Sequence, residues 1–153
     1  MFHIVLVEPE IPQNTGNIAR TCAVTGAMLH LVRPLGFSVD DRQLKRAGLD
    51  YWGELDVVYH DSFAEVEAAY PGARFFLLST HAKRSYAEAD YRDGDFLVFG
   101  KETAGLGPEL LARRGEDAVR IPMREGLRSL NLSNSVALVL YEALRQAGFP
   151  QMT

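Results

Sequence analysis

The sequence predicts a single α/β domain spanning residues 1–153, with a mostly parallel sheet and helices on both of its faces. Two observations lead to this fold class. Short apolar runs alternate with helical patterns, and the runs are apolar throughout rather than at every second residue. The chain also shows no repeats, low-complexity tracts or linkers, and its 47% hydrophobic content is enough for one ordinary core.

Six runs rich in β-forming residues predict the strands in chain order. They are HIVLV (3–7), MLHLV (28–32), LDVVYH (55–60), RFFLLST (74–80), DFLVFG (95–100) and DAVRIPM (117–123). Helical patterns cover 15–26, 40–47, 62–70, 108–113 and 131–146.

Capping signals support three of these helices. Asp40 or Asp41 is the expected cap of the second helix, and Ser62 with Glu65 forms a capping box for the third. Pro108 is suited to the first turn of the fourth helix.

Composition excludes several classes of protein. The chain has 16 basic and 20 acidic residues. A net charge of −4 argues against a protein that binds nucleic acid through its overall charge, although it leaves room for a local basic patch. The single Cys22, on an apolar helix face, predicts a buried thiol and a reducing compartment. His3, His30, His60 and His81 lack ligand spacing, which predicts no metal site.

No targeting or membrane segment is recognisable in the sequence. The first residues lead directly into a strand, without the basic start and cleavage pattern of a secretory signal. No apolar run approaches the roughly 20 residues of a membrane span. We therefore expect a cytoplasmic protein that does not enter a membrane.

Four loops follow strands and are the places to look for chemistry, because ligands of such sheets bind beyond the carboxyl ends of the strands. They are QNTGN (13–17), STHAKRS (79–85), GKETAGLG (100–107) and PMREGLRSLNLSN (122–134).

The loop GKETAGLG has three glycines, which let a ligand approach the backbone, and a helix that begins at Pro108. An anion or a flat base fits such a place. The spacing matches neither a Walker loop nor the dinucleotide-binding fingerprint, so a plain glycine-rich turn is an equal alternative.

The last loop is rich in small polar residues before an apolar helix. They are Ser129, Asn131, Ser133, Asn134 and Ser135. One or two cap the helix, and the others are available to hydrogen-bond a polar, uncharged ligand. The loop lacks the His and Asp partners of a nucleophile elbow, which argues against serine hydrolysis.

In the stretch NTGNIART (14–21), a tight turn at Gly16 with Asn14 or Thr15 as helix cap is one interpretation. Arg20 favours another. It follows one helical turn later, where a cation opposes the helix dipole, so it predicts an anionic partner such as a phosphate.

Basic residues occur in four pairs, Lys45/Arg46, Lys83/Arg84, Arg113/Arg114 and Arg124/Arg128. The second and fourth pairs fall in loops at the carboxyl ends of strands, together with Arg20. They are either ordinary solvated surface or a phosphate-facing patch.

Taken in this order, NTGNIART, FLVFGKETAGLG and IPMREGLRSLNLSNSVALVLYEALRQ resemble the three motifs of the SPOUT class of RNA methyltransferases. The resemblance covers residues 2–147 and is closest to the small bacterial enzymes that methylate the ribose 2′-hydroxyl of the tRNA wobble nucleotide, cytidine or modified uridine. A SPOUT enzyme for ribosomal RNA and a non-catalytic nucleotide-binding module are the alternatives.

The resemblance implies a deep C-terminal trefoil knot, a homodimer with a shared active site, the tRNA anticodon region as partner, and S-adenosylmethionine as methyl donor without a metal. The implied donor-binding residues are Leu78, Ser79, Gly100, Glu102, Gly105, Ile121, Met123, Ser129, Leu130 and Ser133. The family's second motif has an arginine where Ala104 stands and a proline where Gly107 stands.

The resemblance also suggests catalytic roles. Arg20 would hold a phosphate or stabilise the developing alkoxide rather than act as base, since arginine stays protonated in proteins. Asn14 would hold the ribose or the loop, while Ser133 and Asn134 would position the donor or the hydroxyl. Glu102 would bind the donor or orient its loop, and is a weaker candidate for the base.

Overall fold

Strands and helices alternate along the chain in the predicted order. The computed structural model describes residues 1–48 and 51–153, and only the backbone of residues 49 and 50. The strands are β1 (His3–Val7), β2 (Met28–Val32), β3 (Val57–His60), β4 (Phe75–Leu78), β5 (Phe96–Phe99) and β6 (Ala118–Val119). The helices are α1 (Pro12–Thr25), α2 (Arg42–Gly48), α3 (Phe63–Ala69), α4 (Pro108–Arg114) and α5 (Leu132–Ala147).

All pairings in the six-stranded sheet are parallel, in the order β3-β2-β1-β5-β4-β6, which confirms the predicted sheet. In the centre, Ile4 of β1 lies level with Leu29 of β2 and Leu97 of β5. The carboxyl ends of β1, β5 and β4 therefore meet at one edge of the sheet.

Helices cover both faces, as predicted. On one face, α1 and α5 pack on the side chains of Ile4, Leu29 and Leu97. On the other, α3 and α4 pack on side chains that include Val5 and Val98. Since neighbouring residues of a strand point to opposite faces, strands covered on both faces must be apolar throughout.

The last strand is shorter than the predicted 117–123. Pairing with β4 stops at Val119, and beyond it only an isolated bridge joins Ser85 and Arg120. Pro122 has no N–H to donate to a strand ladder, so the chain leaves the sheet here and becomes a loop. That loop reaches α5.

The start of α1 differs from its prediction. The helix begins at Pro12, so residues 14–17 are its first turns rather than a loop, and neither Asn14 nor Thr15 is the cap. A proline at the first helical position gives up no hydrogen bond. Gly16 is a site of close packing, because a Cβ there would lie 2.4 Å from the carbonyl oxygen of Leu44 in α2.

Several local predictions are confirmed. Asp41, rather than Asp40, caps α2 through its carboxylate, which accepts from the Gln43 N–H at 2.7 Å. Ser62 caps α3, and the Glu65 carboxylate reaches back to the N–H of Asp61. Cys22 is buried, and burial raises the pKa of its thiol to about 12.

Within the described parts of the chain, no helix has the length and apolar character needed to cross a membrane.

Three of the four histidines, scattered in sequence, form a row across β1, β2 and β3. Nδ1 of His3 lies 2.9 Å from Nε2 of His30, and Nδ1 of His30 lies 3.0 Å from Nε2 of His60. Each contact needs one N–H, so the row is satisfied when all three rings are neutral. Among the described residues, no group of three or more His, Cys, Asp or Glu side chains is arranged to hold a metal ion.

This row predicts sensitivity of the fold to acid. Burial lowers the pKa of His30 to about 3 and also lowers the pKa values of His3 and His60. The unfolded chain takes up protons below pH of about 6.5, where the folded row does not. The free energy of unfolding should therefore fall as the pH drops from about 6.5, by about 1.4 kcal/mol per pH unit for each histidine that stays neutral.

Urea unfolding between pH 7 and 5 checks this expectation. His30→Gln should reduce the dependence of the unfolding free energy on pH by about one proton relative to the unchanged chain. Equal slopes for His30→Gln and the unchanged chain would contradict the assignment.

Candidate active site

An open cavity of about 780 Å³ lies beyond the carboxyl ends of β4 and β5. We name it the donor cavity after the methyl donor that the resemblance leads us to expect there. Its walls come from the segments that follow β4, β5 and β6, and from Ile11 and Asn14 at the start of α1. These segments correspond to the four loops after strands in which the sequence predicts the chemistry to lie, although the first of them is the start of α1. They meet because the ends of parallel strands share one edge of the sheet.

The donor cavity brings together most of the predicted site residues. Nine of the ten expected donor-binding residues line it: Leu78, Ser79, Gly100, Glu102, Gly105, Ile121, Met123, Ser129 and Leu130. Of the four residues expected to be catalytic, Asn14 lines the cavity. Arg20, Ser133 and Asn134 are not among its lining residues.

The glycine loop after β5 forms a tight turn over this cavity. Lys101 and Gly105 form an antiparallel bridge, and the Gly105 N–H donates to the Lys101 carbonyl oxygen at 2.8 Å. Gly105 has a φ of +66°, a conformation that favours glycine. A Cβ on Gly100 would lie 2.0 Å from the backbone carbon of Gly105. The loop keeps this shape with Ala104 and Gly107 in place.

Glu102 ties the glycine loop to the start of α1. Its carboxylate accepts from the backbone N–H groups of Glu10 and Ile11, both at 2.8 Å, and from the Asn14 amide at 3.2 Å. An anion is favourable there because the first N–H groups of a helix lack partners in the helix. Glu102 is therefore positioned to hold the loop.

Glu10 and Thr103 make the reciprocal connection. The Glu10 carboxylate accepts from the N–H of Thr103 at 3.0 Å and from its hydroxyl at 2.8 Å. These hydrogen bonds, from the Thr103 backbone first and then its side chain, lower the pKa of Glu10. The loop and the helix start are thus joined by two carboxylates, one from each side.

Asn14 carries the connection on to α5. It is buried, and its amide oxygen accepts from the Asn131 amide at 3.2 Å. Asn131 caps α5 by accepting from the Asn134 N–H at 3.1 Å, and it also accepts from the Ser133 hydroxyl at 2.7 Å. Ser133 therefore supports the cap, and a chain of hydrogen bonds links all three motif segments.

Glu102 provides a test of this chain of hydrogen bonds. Glu102→Gln replaces an acceptor with an NH₂ group that faces other N–H groups, so we expect the free energy of unfolding to fall by about 2 kcal/mol. The donor affinity should fall with it. Urea unfolding and calorimetry measure both, with Glu125→Gln in the exposed part of the last loop as control.

A loss of turnover with unchanged stability and unchanged donor affinity would contradict the positioning role. That result would instead indicate that Glu102 takes part in proton transfer.

Arg20 differs from its prediction. It lies in the third turn of α1, well past the first turn in which the helix dipole acts. It is exposed, with its guanidinium carbon 5.8 Å from the centre of the Tyr51 ring. The helix dipole therefore gives no reason to expect an anionic partner at Arg20. Within one chain, Arg20 is also not among the residues that line the donor cavity.

The basic pairs behave differently from one another. Arg113 and Arg114 both pair with Glu67 at 2.7 Å, Arg114 also pairs with Asp117 at 2.9 Å, and Lys45 approaches Asp40 at 3.8 Å. Arg128 lines the donor cavity. Lys83 and Arg84 are exposed in the loop after β4.

Residues that sequence reasoning did not assign to this site include Glu10, Thr103, Asn131 in its linking role, and Lys101, which lines the cavity. Asn131 was visible as part of a polar run. Glu10 and Thr103 gave no local signal, because their contact spans 93 residues of sequence.

The donor cavity fits S-adenosylmethionine in size and chemistry. Its volume is within the range of small-molecule sites, and its walls combine apolar side chains such as Leu78, Ile121 and Met123 with polar loop backbone. At Gly100 the backbone of Gly105 takes the place of a side chain, which brings the turn of the glycine loop close to the end of β5.

Comparison with known proteins points the same way. The model of the SpoU rRNA Methylase family matches residues 1–141. A tRNA (cytidine(34)-2′-O)-methyltransferase of Burkholderia pseudomallei is 53% identical over 153 residues, 97% of each chain. One of Burkholderia ambifaria is 51% identical with the same coverage.

Solved structures agree with the sequence relatives. A structure on the 2-OH methylation of C/U34 on tRNA has a TM-score of 0.92 and 52% identity, and 97% of each chain is covered. The SpoU methyltransferase AviRb of Streptomyces viridochromogenes, in complex with AdoMet, has a TM-score of 0.81 and 28% identity over 95% of this chain and 57% of that one. By sequence and by fold, this chain belongs to the SpoU methylase family.

Proposed function

We propose that this protein transfers a methyl group from S-adenosylmethionine to the ribose 2′-hydroxyl of the wobble nucleotide of tRNA, cytidine or modified uridine at position 34. The observation that carries the proposal is the donor cavity, where three motif segments converge and are joined through Glu102, Asn14 and Asn131. The relatives that act on cytidine 34 cover nearly the whole chain.

S-adenosylmethionine supplies an electrophilic methyl group on a sulfonium. The residues of this chain would hold it with the glycine loop, with Leu78 and Ser79 after β4, and with Ile121, Met123, Ser129 and Leu130 after β6. No metal is needed in this chemistry. The protein's contribution is alignment of the ribose oxygen with the methyl carbon, which can lower a barrier by about 7–11 kcal/mol.

On the acceptor side, we assign Arg20 to the RNA. As a permanent cation it would bind a phosphate or stabilise the oxygen that loses its proton. Asn14, buried between Glu102 and Asn131, would hold the cavity wall against the ribose. The exposed Asn134 side chain, at the first turn of α5, would contact donor or hydroxyl, with Ser133 supporting the cap beside it.

A homodimer would bring Arg20 to a donor cavity from which it is separated within one chain. Exposed apolar side chains on α1 and α5 support such an interface: Val24 is 51% exposed, Leu138 36% and Tyr141 41%. Light scattering should then give twice the 17.0 kDa mass of the chain.

We also infer that the C-terminal part forms the deep trefoil knot of the family. In support, the chain departs from β6 at the outer edge of the sheet and returns along the donor cavity to α5, beside α1. We place the reaction in the cytoplasm, with the tRNA anticodon region as the partner.

Incubation with methyl-labelled donor and total RNA tests the proposed function. Digestion of the labelled RNA should yield label in tRNA alone, on the 2′-oxygen of nucleotide 34. Label on a base, or label at another position of tRNA, would contradict the proposal.

Ribosomal RNA is the second candidate substrate, because the matching family is described by its rRNA methylases. The same experiment separates the two substrates, since ribosomal RNA is the largest part of the total RNA. A non-catalytic module would bind the donor and leave all RNA unlabelled.

A further inference from the structure

A second cavity, the basic pocket, of about 370 Å³, lies next to the donor cavity. One wall is the loop after β4, with His81, Lys83 and Arg84. The opposite wall is the end of α4 and the turn that follows it, with Leu111, Gly115 and Glu116. Ser79 and His81 line both cavities, so a ligand that fills one is adjacent to the other.

The loop that carries the cations is held in place by its neighbours. Ala82 is buried, at 8% exposure, and its N–H donates to the Ser79 carbonyl oxygen at 3.3 Å. The Arg84 carbonyl oxygen accepts from the Arg120 N–H at 2.8 Å. The backbone positions of Lys83 and Arg84 are therefore fixed, while their side chains are exposed.

Charge makes this pocket attractive to an anion. Within the described part of the chain, neither the Lys83 ammonium nor the Arg84 guanidinium forms an ion pair, whereas Arg113 and Arg114 of α4 are engaged by Glu67. Glu116 is the one acid on the pocket wall, so the two cations exceed it by one charge. This local excess of positive charge contrasts with the net charge of −4 of the whole chain.

We infer that the basic pocket binds a backbone phosphate of the tRNA, from a nucleotide that flanks the methylated one. The inference rests on the proposed function, which places the target ribose at the donor cavity. The strand on either side of that ribose must leave across the neighbouring surface. Lys83 and Arg84 then neutralise its phosphate, a contact that positions the RNA without reading its sequence.

The test measures tRNA binding and methyl transfer for the double variant Lys83→Ala/Arg84→Ala. We expect the KM for tRNA to rise about 10-fold with kcat within about 2-fold of wild type. The dependence of log Kd on log salt concentration should decrease by about 0.7, the value for one single-strand phosphate that is no longer neutralised. The Kd for S-adenosylmethionine should be unchanged.

Two further variants sharpen the result. Glu116→Gln removes the acid from the same pocket and should lower the KM for tRNA. Arg92→Ala removes an exposed cation before β5, at the amino edge of the sheet, and should leave the KM and the salt dependence as in wild type.

Unchanged KM and salt dependence in the double variant would overturn the inference, as would a parallel loss of donor affinity. These outcomes presuppose a wild type that methylates tRNA. A wild type that binds donor but methylates no tRNA would instead overturn the proposed function, so the two failures are distinguishable.

Discussion

Replacing Arg20 with alanine should lower methyl transfer to tRNA at least about 100-fold, the scale for losing one electrostatic stabiliser of a transition state. The Kd for S-adenosylmethionine should stay within a few-fold of wild type, because Arg20 is not a lining residue of the donor cavity. Single-turnover transfer and calorimetry with the same preparations give the two numbers.

The fold should tolerate this change. Arg20 is exposed, and its contact with the Tyr51 ring at 5.8 Å is worth at most about 1 kcal/mol. Arg20→Lys is the matched control, since it keeps the charge and loses only the forked donor geometry, so part of the activity should return. Normal turnover of Arg20→Ala would remove Arg20 from the site, and a matching loss of donor affinity would make its role structural.

Replacing Gly100 with alanine should have the largest effect on the donor side. The added Cβ would lie 2.0 Å from the carbon of Gly105 and 2.2 Å from the nitrogen of Leu106, which are both backbone atoms and cannot move aside like a flexible side chain. We expect a loss of at least about 3 kcal/mol in unfolding free energy and a loss of donor binding. Urea unfolding and calorimetry measure these effects.

Gly107→Ala is the matched control in the same loop. Its φ of −67° suits any residue, and an added Cβ meets nothing within 4 Å. Alanine there should leave donor binding unchanged and alter the unfolding free energy by less than about 1 kcal/mol, since its restriction of the unfolded state offsets its lower preference for the N-cap of α4. Equal behaviour of Gly100→Ala and Gly107→Ala would contradict the close packing of the glycine loop.

The order and type of the regular elements could be predicted from the sequence because they depend on local patterns. The apolar runs of β1 and β5 are buried on both faces, and the Asn131 region does start a helix. The early end of β6 could not be predicted, since apolar residues that follow it, Ile121 and Met123, line the donor cavity instead of continuing the strand. An apolar run alone does not show whether its residues form a strand of the sheet or line a pocket.

The location of the site could be predicted from the sequence, whereas the hydrogen bonds that join its segments could not. Nine of the ten donor-binding residues that the resemblance implied line the donor cavity, since loops at the carboxyl edge must meet. The roles of Glu102 and Arg20 were harder. The role of Glu102 depends on the start of α1 at Pro12, three residues earlier than the sequence pattern predicts. The role of Arg20 depends on its exposed position in the third turn of that helix.

The central claim is that the acceptor is the ribose oxygen of nucleotide 34. The most direct measurement compares two tRNAs that differ in one atom, with ribose or 2′-deoxyribose at that nucleotide. We predict transfer of label from S-adenosylmethionine to the first and none to the second. Equal labelling of both tRNAs would contradict the account.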